Sequence, residues 1–267
     1  MRLLPGDAMK LFISAVTWDQ ALRAGMSQAE LASEAVALGC CGVEFRQYWK
    51  EQDEIPAAAA ALAGSGLLAT YACNEGLLAD SRENTLKLLA AANDDLTVAA
   101  ALGAKLLRLN VAAGQFDSGF IAADWWHEAV VTLLARAAGL GIPLAVENGP
   151  DPVKSDVTLL ASLLGRFESP WLRLTFDTGN WLYAGVAPAE ALAALARYVG
   201  CVHLKDIVAG ADGLKHRQPG TGIVDIRSLV RKLTAGGYAG PFVLEFPGGD
   251  DPRGRVRGSL AYLTGLA

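Results

Sequence analysis

Short apolar runs alternate along this chain with longer segments in which apolar residues recur every three or four positions. Ile226, Leu229, Val230 and Leu233, for example, follow the i, i+3, i+4, i+7 spacing of an amphipathic helix. The short runs have the length of strands and are bounded by Gly, Pro or charged residues. They predict eight strands, over residues 10–18, 42–46, 66–74, 104–111, 144–147, 171–178, 200–207 and 241–247.

Each predicted strand is followed by a helical segment, so eight strand signals alternate with eight helix signals. Apolar strands joined by helices are typical of a parallel sheet whose outer face is covered. Eight such units in 267 residues predict an α/β fold of the (β/α)8 TIM barrel type. A doubly wound open sheet is the alternative, but no Gly-x-Gly-x-x-Gly follows an early strand. We interpret residues 1–267 as one barrel domain, with residues 1–9 as an N-terminal tail.

Four consecutive predicted strands, the fifth to the eighth, each end at a side chain that can bind a metal ion. These side chains are Glu147, Asp177, His203 and Glu245. Because the carboxyl ends of barrel strands converge on one face, these groups should meet in space. A single Glu or Asp at a strand end is commonly a cap or an ion-pair partner, but four in succession favour a shared site. Three carboxylates and one imidazole predict one divalent ion, with Mn²⁺, Mg²⁺ or Co²⁺ favoured and Zn²⁺ compatible.

Charge and hydropathy exclude several classes of protein. A formal net charge of -5 and a pI near 5.3 argue against a nucleic-acid partner, which would require a basic face. No apolar run approaches the roughly 20 residues that span a membrane, and the start lacks the apolar core of a secretory signal. The 4 cysteines show no paired framework, which is typical of free thiols in a reducing compartment. We therefore expect a cytoplasmic protein with neither a nucleic-acid nor a membrane partner.

The polar strand ends belong to longer motifs that resemble a known family. The motifs are Glu147-Asn148, Phe176-Asp177-Thr178-Gly179-Asn180, Val202-His203-Leu204-Lys205-Asp206, Pro219-Gly220-Thr221-Gly222 with Asp225, and Leu244-Glu245-Phe246. In order and spacing they resemble the sugar phosphate isomerase/epimerase family. These xylose isomerase-like TIM barrels include ketose 3-epimerases, inosose isomerases and dehydratases, and hydroxypyruvate isomerases. The resemblance extends from about Lys10 to the end of the chain, and its specific motifs lie in the second half.

The resemblance implies that Glu147, Asp177, His203 and Glu245 bind one divalent metal ion. It also implies that Glu147 and Glu245 act as acid and base, with Asp177 and His203 as ligands alone. A metal ion chelated by a carbonyl and an adjacent hydroxyl acidifies the C–H bond between them and stabilises an enediolate. The expected function is therefore isomerisation or epimerisation of a small sugar, keto-sugar or polyol. That carbohydrate is the expected partner, and a homo-oligomer, a dimer or a tetramer, is a further expectation from the family.

Three other functions stay open at this stage. A lyase on the same metal site would dehydrate an inosose or a dehydroshikimate-type ring, and a non-catalytic barrel would only hold a sugar. A phosphodiester-cleaving endonuclease of related fold needs a histidine-rich zinc cluster, whereas this acidic chain has 3 His. The sequence also departs from the ketose 3-epimerases at two places. Asn180 stands where those enzymes commonly carry His, and the loop 149–154 lacks their second Glu.

Several further polar and aromatic residues near strand ends are candidate substrate contacts. Lys205 shares the strand face of His203, and it can instead pair with a neighbouring carboxylate. Glu44 and Arg46 share a face at the end of the second strand, where an ion pair is the alternative. His216 and Arg217 precede the glycine turn and can bind an anionic group or lie in a solvated loop. The remaining candidates are Asn110, Asn180 and Trp18.

Overall fold

Eight parallel strands close into a barrel, in the order β1-β10-β7-β6-β5-β4-β3-β2. The structure is a computed structural model, and it describes residues 9–51, 53–211 and 213–266. The barrel strands are β1 (Lys10–Ser14), β2 (Gly42–Arg46), β3 (Leu68–Leu78), β4 (Leu107–Ala112), β5 (Leu144–Glu147), β6 (Leu172–Asp177), β7 (Val199–Leu204) and β10 (Pro241–Leu244). The predicted (β/α)8 barrel is confirmed, and the open sheet is excluded because β1 pairs with both β2 and β10. The predicted tail lies outside the described residues, apart from Met9.

Nine helices of the described chain surround the barrel, and local sequence signals set their ends. Ser81 accepts a hydrogen bond from the Asn84 amide at the start of the longest helix, and Asp251 caps the last one. Gly39 closes the second helix at a φ of 72°, which L side chains rarely adopt. The helices are α1 (Asp19–Arg23), α2 (Glu30–Leu38), α3 (Glu54–Ser65), α4 (Arg82–Ala101), α5 (Asp124–Leu140), α6 (Val157–Gly165), α7 (Pro188–Leu195), α8 (Ile226–Ala235) and α9 (Pro252–Leu263).

The two faces of each strand belong to different parts of the core. In β5, Leu144 and Val146 pack in the large cluster between the strands and the helices. Ala145 points into the barrel, where it packs with a small group of buried residues. Because successive side chains alternate, Glu147 also points inward, at the carboxyl end of the strand. The barrel interior is therefore apolar in its middle and polar at the end that carries the predicted metal ligands. None of the described helices is long and apolar enough to cross a membrane.

The structure corrects the predicted elements at three places. β1 stops at Ser14, because the Ser14 hydroxyl accepts from the Val16 amide and starts a 3-10 helix, Ala15–Trp18. β3 continues to Leu78 through an irregularity in its pairing with β4. The predicted strand 200–207 is in fact β7 followed by β8 (Asp206–Gly210), which forms an antiparallel hairpin with β9 (Gly213–Arg217). The hairpin was missed because it follows β7 after only one residue.

Candidate metal centre

The four predicted metal ligands meet at the carboxyl end of the barrel. Glu147 and Asp177 are the last residues of β5 and β6, His203 is the penultimate residue of β7, and Glu245 follows β10 directly. These four strands are neighbours in the barrel, and Asp177 is in register with His203. One ligand atom from each residue lies within 4.8 Å of the others. All four side chains are buried, so we call them the buried quartet.

The imidazole of His203 is held between carboxylates on both of its nitrogens. Its Nδ1 lies 2.9 Å from Glu147 Oε1 and 3.6 Å from Glu245 Oε2. Its Nε2 lies 2.8 Å from Glu44 Oε2, and the Ser14 hydroxyl donates to the other oxygen of Glu44 at 3.0 Å. Glu44 therefore fixes the ring so that Nδ1 points towards the carboxylates of the quartet. The Glu44 side chain is fully buried, which leaves it no surface for the substrate contact expected from the sequence.

Three cationic side chains contact the carboxylates of the quartet. Arg46 Nη2 lies 2.5 Å from Glu245 Oε1, and Arg108 Nε lies 3.1 Å from Glu147 Oε2. Lys205 Nζ lies 2.9 Å from Asp177 Oδ2 and also pairs with Glu245. Sequence reasoning missed Arg108, although a charged residue between Leu107 and Leu109 in a buried strand was a signal. A buried charge of this kind usually has a charged partner.

These contacts set the charges of the buried carboxyl groups. Burial opposes the ionisation of Glu147, but Arg108 and His203 outweigh it and hold its pKa well below the usual range. Burial likewise opposes the charge of Glu245, and Lys205 and Arg46 outweigh it, so its pKa also lies well below normal. Burial raises the pKa of Asp177 to about 7, although Lys205 opposes this shift. Both glutamates are therefore ionised at neutral pH.

The donor set of the quartet fits a divalent cation. Asp177 Oδ2 and Glu245 Oε2 are buried and have no hydrogen bond within the described chain. Lys205 Nζ is close to both oxygens but does not meet them in hydrogen-bond geometry. Two such oxygens, a third carboxylate and an imidazole nitrogen offer the hard donors that Mg²⁺ and Mn²⁺ prefer. The fit rests on these unsatisfied lone pairs, because each would otherwise cost free energy when buried.

Two asparagines hold Asp177 in place. Asn148 Oδ1 accepts from the Asp177 amide at 2.8 Å, and Asn180 Nδ2 donates to the Asn148 carbonyl at 2.8 Å. Asp177 Oδ1 accepts from the amides of Gly179 and Asn180, at 2.9 and 2.8 Å. The motifs Glu147-Asn148 and 176–180 therefore interlock across β5 and β6. The Asn180 amide group supports a predicted ligand, and its buried Oδ1 has no partner among the described residues.

The remaining predicted substrate-binding residues make contacts outside the quartet. His216 on β9 packs edge-on against Tyr183, and burial followed by the charge of Lys205 lowers the pKa of His216 to about 4. Arg217 Nη1 donates to the His216 carbonyl at 2.9 Å. Asn110 accepts from Arg108 Nη1 at 3.1 Å and donates to the Asn74 carbonyl. Trp18 ends a 3-10 helix and is only 3% exposed, so it offers a ligand almost no surface.

A second acidic cluster, which shares no residue with the quartet, lies on β3 and α4. Gln47 Nε2 donates to Glu75 at 2.8 Å and to both oxygens of Asp95, and the Tyr71 hydroxyl donates to Asp95 at 3.2 Å. Burial raises the pKa of Asp95 to about 7, and its hydrogen bond with Glu75 and the charge of Glu75 reinforce the shift. Asp95 therefore keeps its proton in the folded state under conditions in which the unfolded chain loses it.

We expect Asp95 to make the protein less stable as pH rises from about 4 to about 7. In this window the unfolded chain releases the proton and the folded chain retains it, so the free energy of unfolding falls. The loss should be about 4 kcal/mol at most, from the difference between 3.8 and a pKa of about 7 at roughly 1.4 kcal/mol per pKa unit. Glu75, whose pKa is lowered, titrates mainly below this window. Urea unfolding at pH 4 and pH 8 would measure it. Asp95→Asn should remove the share of this dependence that comes from Asp95 and leave the share of Asp177, whose pKa is also raised to about 7. Asp94→Asn, at the exposed neighbouring position, should leave both shares in place. Equal pH dependence in both variants would contradict the assignment.

A protein-family model and several solved structures match this chain. The model of the family described as xylose isomerase-like TIM barrel matches residues 32–266. No curated protein matches the sequence. A xylose isomerase-like TIM barrel protein from Mycobacterium smegmatis, solved in complex with magnesium, has 18% sequence identity and a TM-score of 0.76, with 99% of this chain and 98% of that chain covered. The 3-keto-D-glucoside 4-epimerase from E. coli has 20% identity and a TM-score of 0.74, with 96% and 99% covered.

A third similar structure is of a protein named for a different reaction, a dehydration. It is the probable 3-DHS dehydratase of petrobactin synthesis from Bacillus anthracis, with 16% identity, a TM-score of 0.75, and 96% of this chain and 99% of that chain covered. At these identities the solved structures establish the fold alone. The family match, by contrast, covers most of the chain.

Proposed function

Because the chain belongs to the xylose isomerase-like TIM barrel family, we propose that it is a divalent-metal-dependent epimerase or isomerase of a small sugar, keto-sugar or polyol. The observation that carries the proposal is the buried quartet, whose ligand atoms all lie within 4.8 Å of one another. Two of its members are glutamates that stay ionised at neutral pH, as a general base must. The printed names of similar structures, a 3-keto-D-glucoside 4-epimerase and an L-ribulose 3-epimerase, support a carbohydrate substrate.

Glu147, Asp177, His203 and Glu245 would hold the metal ion. A bound divalent ion polarises the carbonyl and hydroxyl oxygens of a substrate and so acidifies the C–H bond beside the carbonyl. Mg²⁺, Mn²⁺ and Co²⁺ suit the oxygen-rich donors, and the magnesium complex of the M. smegmatis barrel supports this choice. Zn²⁺ is compatible with the imidazole and carboxylates.

The two glutamates would exchange the substrate proton. They project from β5 and from the end of β10, two strands that are separated by β6 and β7. One carboxylate would remove the proton from the carbon beside the carbonyl. The other, which is ionised at rest, would first take up a proton from solvent and then deliver it to the substrate. Return to the opposite face of the same carbon gives an epimer, and return to the neighbouring carbon gives an aldose–ketose isomer. Arg46 and Arg108 hold the two carboxylates at 2.5 and 3.1 Å, and so fix their positions.

The side chains around the quartet would bind the sugar hydroxyls. Lys205 lies between Asp177 and Glu245, and we assign it to the substrate oxygen that gains charge as the proton leaves. His216 and Arg217 on the hairpin, with Asn110 on β4, would contact the more distant hydroxyls. Asn180 would act chiefly through Asn148, to which it donates.

Proton exchange with solvent tests the proposal directly. The metal-loaded protein should catalyse deuterium incorporation at one carbon of a keto-sugar in D2O, followed by NMR, with L-ribulose, D-tagatose and a 3-keto-D-glucoside in the panel. An isomer or epimer should appear at the same rate or more slowly. Tight binding without exchange would contradict catalysis and favour a sugar-holding barrel. A product with strong ultraviolet absorption would instead indicate dehydration, the lyase alternative.

Glu44→Gln should weaken metal binding about 10- to 100-fold without removing any ligand. The Gln amide carries no negative charge and has one accepting oxygen instead of two, so it cannot accept from both His203 Nε2 and the Ser14 hydroxyl. The ring therefore loses the charged partner that fixes its orientation. A chelator competition titration measures the affinity independently of turnover. Glu75→Gln is the matched control, because Glu75 belongs to the second acidic cluster and should leave the affinity unchanged. An unchanged affinity in Glu44→Gln would contradict the positioning role.

A further inference from the structure

A cavity of about 930 Å³ opens at the end of the barrel opposite to the quartet. Lys10, Val199 and Pro241, which line it, are the first residues of β1, β7 and β10. The quartet, in contrast, lies at the ends of its strands. We call this space the basal cavity. Its volume lies in the range of pockets that hold cofactor-sized or drug-sized molecules.

Positive charge is concentrated in the basal cavity. Its described lining includes five cationic side chains and no carboxylate, in a chain that has 28 acidic and 23 basic residues. None of the five forms an ion pair with a carboxylate elsewhere in residues 9–51, 53–211 and 213–266. Unpaired positive charges inside one concave surface raise the local potential and attract anions. The five side chains belong to Lys10, Lys105, Arg173, Arg197 and Lys232.

The two arginines of the basal cavity are held in place. Arg173 Nη2 donates to the carbonyls of Arg197 and Val199, at 2.9 and 3.2 Å. The Arg197 guanidinium donates to the Tyr198 hydroxyl and lies 4.6 Å from the centre of that ring. Each guanidinium keeps further N–H groups that these bonds do not use. A guanidinium that is already oriented loses less freedom when it binds the oxygens of an anion.

The inner part of the basal cavity is apolar and carries one unsatisfied hydroxyl. Phe12, Leu68 and Leu106 line it, which gives a flat organic group a surface to pack against. Thr70, which follows Leu68 by two along β3, also lines it and is fully buried. Its Oγ1 has no hydrogen-bond partner within the described chain. A buried hydroxyl without a partner is uncommon, and a polar atom of a ligand can satisfy it.

We propose that the basal cavity binds a small organic phosphate, with its phosphate group among the cationic side chains and its apolar body inside the barrel. Several cationic groups suit the double negative charge of a phosphate better than a single carboxylate. The apolar lining and the Thr70 hydroxyl recognise the body of the molecule. This site is separate from the quartet and needs no metal ion, so it does not depend on the proposed reaction.

Calorimetric titration of the chelator-treated full chain tests the site. The probes are adenosine 5′-monophosphate and naphthyl phosphate, with adenosine and inorganic phosphate as partial ligands. At least one organic phosphate should bind, and it should bind more tightly than either partial ligand. Lys105→Gln combined with Lys232→Gln should weaken that binding about tenfold or more, because two charge-assisted contacts are lost. Both lysines are exposed, so the substitutions should not unfold the protein.

Two controls locate the binding. Arg231→Gln combined with Lys87→Gln changes the net charge equally at exposed positions outside the cavity, and it should leave the affinity unchanged. Glu147→Gln combined with Glu245→Gln alters the quartet and, once circular dichroism has shown that this variant is folded, should also leave the affinity unchanged. The proposal is overturned if neither organic phosphate binds, if adenosine or inorganic phosphate binds as tightly, or if the cavity variant and its charge control lose affinity equally.

Discussion

The double variant Glu147→Gln, Glu245→Gln should lose both its metal ion and its catalysis of proton exchange. The amides keep the shape of the side chains but remove two of the three carboxylates of the quartet. Arg46, Arg108 and Lys205 then face a site with too little negative charge to hold a divalent cation. Loss of an acid and a base should lower the rate by a factor of about 10⁴ or more. Metal content by mass spectrometry and deuterium exchange by NMR measure the two effects separately.

The control for this variant is Glu128→Gln with Glu190→Gln, an equal change of charge at two exposed helical positions. Circular dichroism must accompany the measurement, because Arg46 and Arg108 lose their buried partners and about 3–5 kcal/mol of stability can be lost with them. The single variants, each of which leaves one glutamate in place, provide folded intermediates. A folded double variant that retains about one metal ion per chain would exclude the buried quartet as the metal site.

The sequence was sufficient for the barrel and for the quartet because both follow from short-range patterns. Each strand carries its own apolar run, and a parallel barrel brings the carboxyl ends of its strands together whatever the lengths of the loops. Glu147 and Glu245 are 98 residues apart, yet their spacing along the strands fixed their common location. The closed strand order and the inward alternation of β5 are therefore consequences of features that are visible in single segments.

The partners of these residues could not be predicted in the same way. Glu44 contacts His203 across the barrel, 159 residues away, and nothing in the segment 42–46 identifies that partner. An ion pair between Glu44 and Arg46 was one prediction from the sequence. In the structure, Arg46 Nη2 lies 2.5 Å from Glu245 Oε1 and 3.6 Å from Glu44 Oε1. Which charged side chains pair depends on their lengths and on which other charges remain unpaired inside the barrel. The spacing of apolar residues along the sequence carries no information about either.

The motif Pro219-Gly220-Thr221-Gly222 shows the same limit. Its glycines form part of the resemblance to the family, and in the structure their amides serve as backbone hydrogen-bond donors. Asp206 Oδ2 accepts from the amides of Gly220, Thr221 and Gly222, at 3.1, 3.1 and 2.8 Å. A Cβ on Gly222 would lie 2.4 Å from Asp206 Oδ1 and 2.2 Å from the Ile207 carbonyl oxygen. Only glycine allows this close approach.

We expect Asp206→Asn to destabilise the protein by about 3–5 kcal/mol. The Asp206 carboxylate is 1% exposed and accepts five backbone N–H bonds, two of them from Ile207 and Val224. An amide replaces one accepting oxygen with a donor, so at least two of the five N–H groups lose their acceptor. Asp225→Asn is the matched control, because Asp225 caps α8 with a single bond, to the Ser228 amide at 3.0 Å, and should cost about 1 kcal/mol.

Urea unfolding followed by tryptophan fluorescence would compare these two variants. Asp206 lies beside Lys205 and in register with Arg217, so release of the loop 218–224 should also disturb the hairpin that faces the quartet. The free energy of metal binding should change less than the free energy of unfolding, because the four proposed ligands belong to the ends of the barrel strands and not to this loop. If Asp206→Asn cost no more than Asp225→Asn, the five amides would have other acceptors, and the loop would be held by its own turns rather than by the carboxylate.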